Sequence, residues 1–167
     1  ETFSRYAKSL VNAKMLEVCS TTLPQRIIPK IQDDPRYKKY LEERTSVYEK
    51  RANTAYKIFS NTKGVIAPRP AGAFYMTIVF EDGLLNDKQT LQIKNENAKL
   101  MIENFTKEVR HDKRFAYYLM ANAGVCVVPL SGFNSKLDGF RITLLEKDEN
   151  IFNNTMKLIS EKIAEYI

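Results

Sequence analysis

Apolar positions recur along this chain at two different periods, and the switch between them sketches an architecture. Phe3, Tyr6, Leu10, Ala13 and Leu16 fall on one helical face. A second, short helix is predicted from Thr21 and Thr22 to about Ile31, bent or shortened by Pro29. Asp34 before Pro35 is a start signal, a capping side chain ahead of a proline at the first helical position. Tyr37, Leu41, Tyr48, Ala52, Ala55 and Phe59 then repeat at helical spacing. At about 1.5 Å per residue a helix from Pro35 to Phe59 would run roughly 36 Å, enough to cross between two domains. Ala73 to Phe80 is apolar, aromatic and β-branched, and predicts a strand. Further strands are expected at Val125–Pro129 and from Gly139 and Phe140 to Leu144. Between them, polar Glu81 to Asn97 reads as an insertion or lid-like loop, partly helical from Gln89. Leu100, Met101, Phe105 and Val109 suggest a helix. Asp112 starts another, aligned on Phe115, Leu119 and Ala123 and closed by a left-handed Gly124. The last helix follows Lys147-Asp148-Glu149 and carries Phe152, Met156, Ile159, Ile163 and Tyr166 on one face. Strands alternating with helices place the chain in the α+β class: a two-layer sandwich of a small sheet with helices on one face, preceded by a long linking helix.

Composition narrows the function classes. The 167 residues can bury an ordinary single core, and 44% hydrophobic with 28% charged residues are globular values. No apolar run approaches the roughly 20 residues of a membrane span, and no signal-peptide pattern opens the chain. Cys19, Cys126 and the lone His111 offer no metal-ligand spacing, so no metal is expected, and a reducing cytoplasm is the simplest compartment. The net charge of +6 raises nucleic-acid binding. Around Tyr37 to Phe59, however, Arg36, Lys38, Lys39, Arg44, Lys50 and Arg51 interleave with Glu42, Glu43 and Glu49, the pattern of a solvated helix. No nucleic-acid partner is expected, and a basic rim would equally serve anionic small molecules.

The chemistry concentrates in the second half. Val125-Cys126-Val127-Val128-Pro129 leads into the turn Leu130-Ser131-Gly132-Phe133-Asn134 and then into Gly139-Phe140-Arg141-Ile142-Thr143-Leu144. An arginine among apolar strand residues is costly to bury unless an anion meets it, so Arg141 points to a carboxylate or phosphate ligand. The alternative is an arginine snorkelling to a sheet edge beside an acidic neighbour. Arg69-Pro70-Ala71-Gly72-Ala73-Phe74-Tyr75 is an extended approach to a strand, in which Gly72 is expected to take the backbone shape other residues resist. Cys19-Ser20-Thr21-Thr22-Leu23-Pro24-Gln25 precedes Asp33-Asp34-Pro35.

These three segments, in this order, resemble the C-terminal region of the class I/II aminotransferases, enzymes that use pyridoxal phosphate on the fold-type-I scaffold. The resemblance implies residues 1–34 as the end of the large domain, 35–62 as the linking helix and 63–167 as the small C-terminal domain. It implies exchange of an amino group between an amino acid and a 2-oxo acid, in a homodimer, with Arg141 forked onto the substrate α-carboxylate. Ser20 matches a position that in some relatives touches cofactor phosphate across the dimer interface; a helix cap is the other reading. Leu16 and Glu17 stand near the place where dicarboxylate-specific members present an arginine, which implies a neutral substrate such as alanine, or an aromatic one. In that family the lysine that carries the cofactor lies upstream of the matched region. The chain opens at Glu1 without Met and is therefore expected to be the C-terminal piece of a longer protein, with no catalytic residue of its own and no transamination alone. A lyase on the same fold, a stand-alone α+β regulatory or binding domain, and a basic nucleic-acid module are the competing readings.

Overall fold

A computed structural model describes residues 2–15 and 22–167. The chain divides into two compact units, Glu1–Arg44 and Thr45–Ile167.

The first unit holds α1 (Thr2–Met15), α2 (Thr22–Gln32) and the start of α3 (Tyr37–Phe59). Pro29 sits inside α2, yet the helix continues to Gln32 instead of being shortened. No residue of α2 is buried, and apolar side chains such as Phe3, Met15 and Leu23 lie open. Asp34 does cap the approach to α3: its carboxylate accepts the backbone N–H of Arg36 at 2.9 Å and takes the Arg36 guanidinium as well. Hydrogen bonding to Arg36 holds the Asp34 carboxyl down at about 2. Regular helix begins only at Tyr37, because Pro35 and Arg36 form the turn that the cap closes.

The second unit is built on a four-stranded antiparallel sheet, β1 (Val65–Ile66), β2 (Tyr75–Phe80), β3 (Val128–Pro129) and β4 (Gly139–Thr143), in the order β1-β2-β4-β3. Around it lie α4 (Glu96–Phe105), α5 (His111–Ala123) and α6 (Glu149–Tyr166). Register follows the apolar alternation. Met76 faces Ile142 and Ile78 faces Phe140 across β2 and β4, and all four are buried. Phe115 of α5 lies 5.0 Å from Phe80, 5.4 Å from Phe140 and 5.1 Å from Tyr166 between ring centroids, so the sheet and α6 meet through one ring. Phe152, Met156, Ile159 and Ile163 of α6 complete that core with Ala52, Ala55 and Phe59 of α3. Each large side chain so buried contributes about 1.5–3 kcal/mol.

Two buried cations brace this unit without a carboxylate partner among the described residues. Arg51 of α3 donates to Leu144 O at 3.0 Å and Lys147 O at 3.3 Å, while Lys50 beside it pairs with Glu149 at 2.7 Å. Arg114 of α5 donates to Gln89 O, Thr106 O and Thr106 Oγ1.

The sequence expectations need several corrections. β1 was not foreseen; it is too short to show a period, and exists because Val65 and Ile66 pair with Phe80 and Val79. The apolar run from Val125 is strand only at Val128–Pro129, since earlier residues leave the β4 ladder. Glu81–Asn97 is no lid: Leu85, Leu91 and Ile93 are buried in the core, and Gln89, Arg114 and Asn122 strap the segment with hydrogen bonds. α4 starts at Glu96, where Asn95 caps Ala98 N–H, and stops before Val109. Among residues 69–75 the left-handed residue is Ala73, with φ 59°, not Gly72.

Candidate functional site

Alternation along β4 sends Phe140 and Ile142 into the core and Arg141 to the opposite face, where Thr77 of β2 and Val128 of β3 are its cross-strand neighbours. Gly139 makes this pairing possible. A Cβ there would run into the carbonyl oxygen of Ile78 and the side chain of Leu130.

The guanidinium of Arg141 lies over two rings. Its central carbon is 4.2 Å from the centroid of Tyr75 and 4.0 Å from that of Phe133. Such cation–π contacts are worth about 0.5–1 kcal/mol each when exposed, and more when desolvated. Among the described residues no carboxylate forms an ion pair with Arg141. A planar guanidinium can meet a planar carboxylate with two parallel hydrogen bonds.

Both rings are held by separate devices. Tyr75 packs on Phe74 at 4.4 Å, and Phe74 O accepts the N–H of Leu144 at 2.8 Å, which pins the start of β2 to the end of β4. Phe133 ends a 3₁₀ turn, Leu130–Phe133, closed by Asn134 in the left-handed conformation. That turn is anchored to α5. Asp112, wholly buried, accepts the Ser131 N–H at 2.7 Å, and Arg110 donates to Ser135 O, Lys136 O and Asp138 Oδ1. The Asp138 hydrogen bond holds the Arg110 guanidinium even more firmly protonated than usual. A cleft of about 210 Å³ beside Arg141 is lined by Cys126, Val128, Thr143, Glu146 and Thr155.

Of the residues singled out from sequence, Arg141 lies at this site; Ser20, Leu16 and Glu17 lie outside the described residues. Tyr75, Phe133 and Asp112 went unassigned as site residues. Tyr75 and Phe133 are in the quoted motifs, but stacking on Arg141 depends on strand register and on a turn, neither of which a periodicity displays. His111 lies within 3.2 Å of Asp87 and 3.7 Å of Asp138. No group of three or more His, Cys, Asp or Glu among the described residues could hold a metal ion, and no helix among them is long and apolar enough to cross a membrane.

Comparison with known proteins gives this architecture its relatives. No family model matches the chain. Over 167 residues it is 51% identical to an uncharacterized aminotransferase of Methanocaldococcus jannaschii, covering 100% of this chain and 39% of that protein. It is 30% identical over 145 residues to a protein of Dictyostelium discoideum named probable alanine aminotransferase, mitochondrial, covering 80% of this chain and 24% of that one. A protein of Saccharomyces cerevisiae named inactive alanine aminotransferase is 26% identical over 136 residues, 77% of this chain and 24% of its own length. The solved structure of the aspartate aminotransferase of Rhizobium meliloti superimposes with a TM-score of 0.65 at 22% identity, over 94% of this chain and 34% of that one, which shows a shared fold. The chain belongs to the class I/II aminotransferases of fold type I, and its α+β architecture matches their C-terminal domain. It spans 39% and 24% of the first two relatives it matches.

Proposed function

We propose that this chain is the substrate-carboxylate-binding region of a pyridoxal-phosphate-dependent amino-acid transaminase. The observation that carries the reading is Arg141, presented on the open sheet face against the rings of Tyr75 and Phe133 and with no carboxylate partner among the described residues. Bidentate contact with the α-carboxylate would fix the orientation of the substrate and hence of its Cα–H bond. Pyridoxal phosphate, when bound, supplies the electron sink. The residues of this chain described in the structure act on the substrate; Ser20 is the one residue proposed to touch cofactor phosphate, and it lies outside them. Residues 1–34 would close the large domain, 35–62 link, and 63–167 form the small domain. The open apolar side chains of α1 and α2 support that division. A homodimer and a cytoplasmic setting complete the proposal, the latter motivated by the free, exposed thiol of Cys126.

Alanine-aminotransferase relatives and the resemblance at Leu16 and Glu17 both favour a neutral amino acid over aspartate. One relative carries the name of an inactive enzyme, so activity rests on experiment. The full-length protein carrying this chain, supplied with pyridoxal phosphate, alanine or an aromatic donor and a 2-oxo acid, should yield the exchanged amino acid and oxo acid. The 167-residue chain alone should not. Release of the donor's side chain or of sulfide instead of amino transfer would assign a lyase and refute the transaminase reading.

A further inference from the structure

We infer that Tyr75 and Phe133 are positioning residues for Arg141, an aromatic clamp that holds its guanidinium ready for a planar carboxylate. The inference rests on the carboxylate role proposed for Arg141 and deepens it.

The rings lie 4.2 Å and 4.0 Å from the guanidinium carbon, so both limit its movement. Its coplanar N–H donors match the two oxygens of a carboxylate and offer less to a neutral carboxamide. The backbone supports a functional reading over incidental packing. Among the described residues the non-glycine positions with positive φ are Ala73 at 59° and Asn134 at 57°. One lies two residues before Tyr75 and the other directly follows Phe133. Strained backbone persists where the surroundings over-determine it, and it clusters at ligand clamps. Here two independent strained positions converge on two rings that hold one cation. Tyr75 and Phe133 are 37% and 45% exposed, so burial alone does not account for where they sit.

The test uses the full-length protein carrying this chain, with Tyr75→Leu, Phe133→Leu and the ring-keeping Tyr75→Phe and Phe133→Tyr. Calorimetry follows an unreactive straight-chain monocarboxylate and the matching carboxamide; kinetics follow KM and kcat for the amino acid. Loss of a ring should weaken the carboxylate by roughly 2- to 30-fold, raise KM more than it lowers kcat, and leave the weak carboxamide binding unchanged. The ring-keeping variants should restore the carboxylate. Phe133 lies on an exposed turn outside the core, so its Leu variant tests the clamp even if Tyr75→Leu misfolds. If wild type binds the carboxylate and Phe133→Leu binds it equally well, the clamp is refuted while the role of Arg141 stands. If Arg141→Ala binds it as tightly as wild type, the role of Arg141 falls and the clamp with it.

Discussion

The buried carboxylate of Asp112 accepts the backbone N–H of Ser131 at 2.7 Å, joining the first turn of α5 to the turn that presents Phe133. Its other oxygen accepts the N–H of Lys113 at 2.8 Å. A helix whose apolar face builds the core thus also sets the position of one ring over Arg141.

Asp112→Ala leaves the Ser131 N–H without its acceptor and should destabilise the protein by about 1–3 kcal/mol. Asp112→Asn keeps the shape and one acceptor and should cost less. Urea unfolding measures both, and carboxylate affinity should fall with Asp112→Ala even where the protein remains folded.

Arg141→Lys retains charge but loses the planar fork, and Arg141→Ala leaves the substrate carboxylate unpaired. A charge-assisted contact is worth about 1.5–3 kcal/mol, so kcat/KM for amino acids should drop roughly tenfold to a few hundredfold. Cofactor content should hold. Half-reaction rates at the wild-type level in both variants would show that Arg141 only packs.

Arg51 satisfies the carbonyls of Leu144 and Lys147 where β4 gives way to α6. Arg51→Met keeps much of the stem and removes the donors, for an expected loss of about 1–3 kcal/mol. Arg51→Lys should recover part of it. An unchanged denaturation midpoint in Arg51→Met would mean that water replaces those donors.

Gly139→Ala should cost more than about 2 kcal/mol, because the added methyl meets a backbone oxygen of the adjacent strand that cannot turn aside. Widening of the β2–β4 pair should also move Arg141 from its rings, so a variant as stable as wild type and equally good at binding carboxylate is the contrary outcome.

Burial raises the Tyr166 phenol from 10.0 to about 12, with Arg114 pulling the other way. The folded state therefore holds the proton after the unfolded chain has lost it. That contribution is fully present below about pH 10 and is lost as pH rises towards 12. Among the described residues the Tyr166 hydroxyl has no hydrogen-bond partner within reach. Tyr166→Phe should be neutral or slightly stabilising at pH 7 and should flatten the alkaline fall, as thermal melts between pH 8 and about 12 would record.

The elements with a strong period were legible from residues alone. Phe152, Met156, Ile159, Ile163 and Tyr166 spelled out α6, and all five are buried as their spacing requires. Asp148 caps that helix at the N–H groups of Asn150 and Ile151, and Gly124 closes α5 with φ 68°, local chemistry that a side chain or its lack decides by itself. β2 and β4 lay within the apolar, β-branched runs from Ala73 and from Gly139.

What sequence could not determine depends on partners distant along the chain. β1 is a strand because β2 offers it an edge, and Leu85, Leu91 and Ile93 are core because Arg114 and Asn122 strap a polar-looking segment down. A periodicity records which way a side chain points within its own element. It carries no record of what another element places opposite. Sequence alone therefore marked Arg141 as a cation in want of a partner, while the tertiary structure set Tyr75 from one strand and Phe133 from a turn held by Asp112 against it.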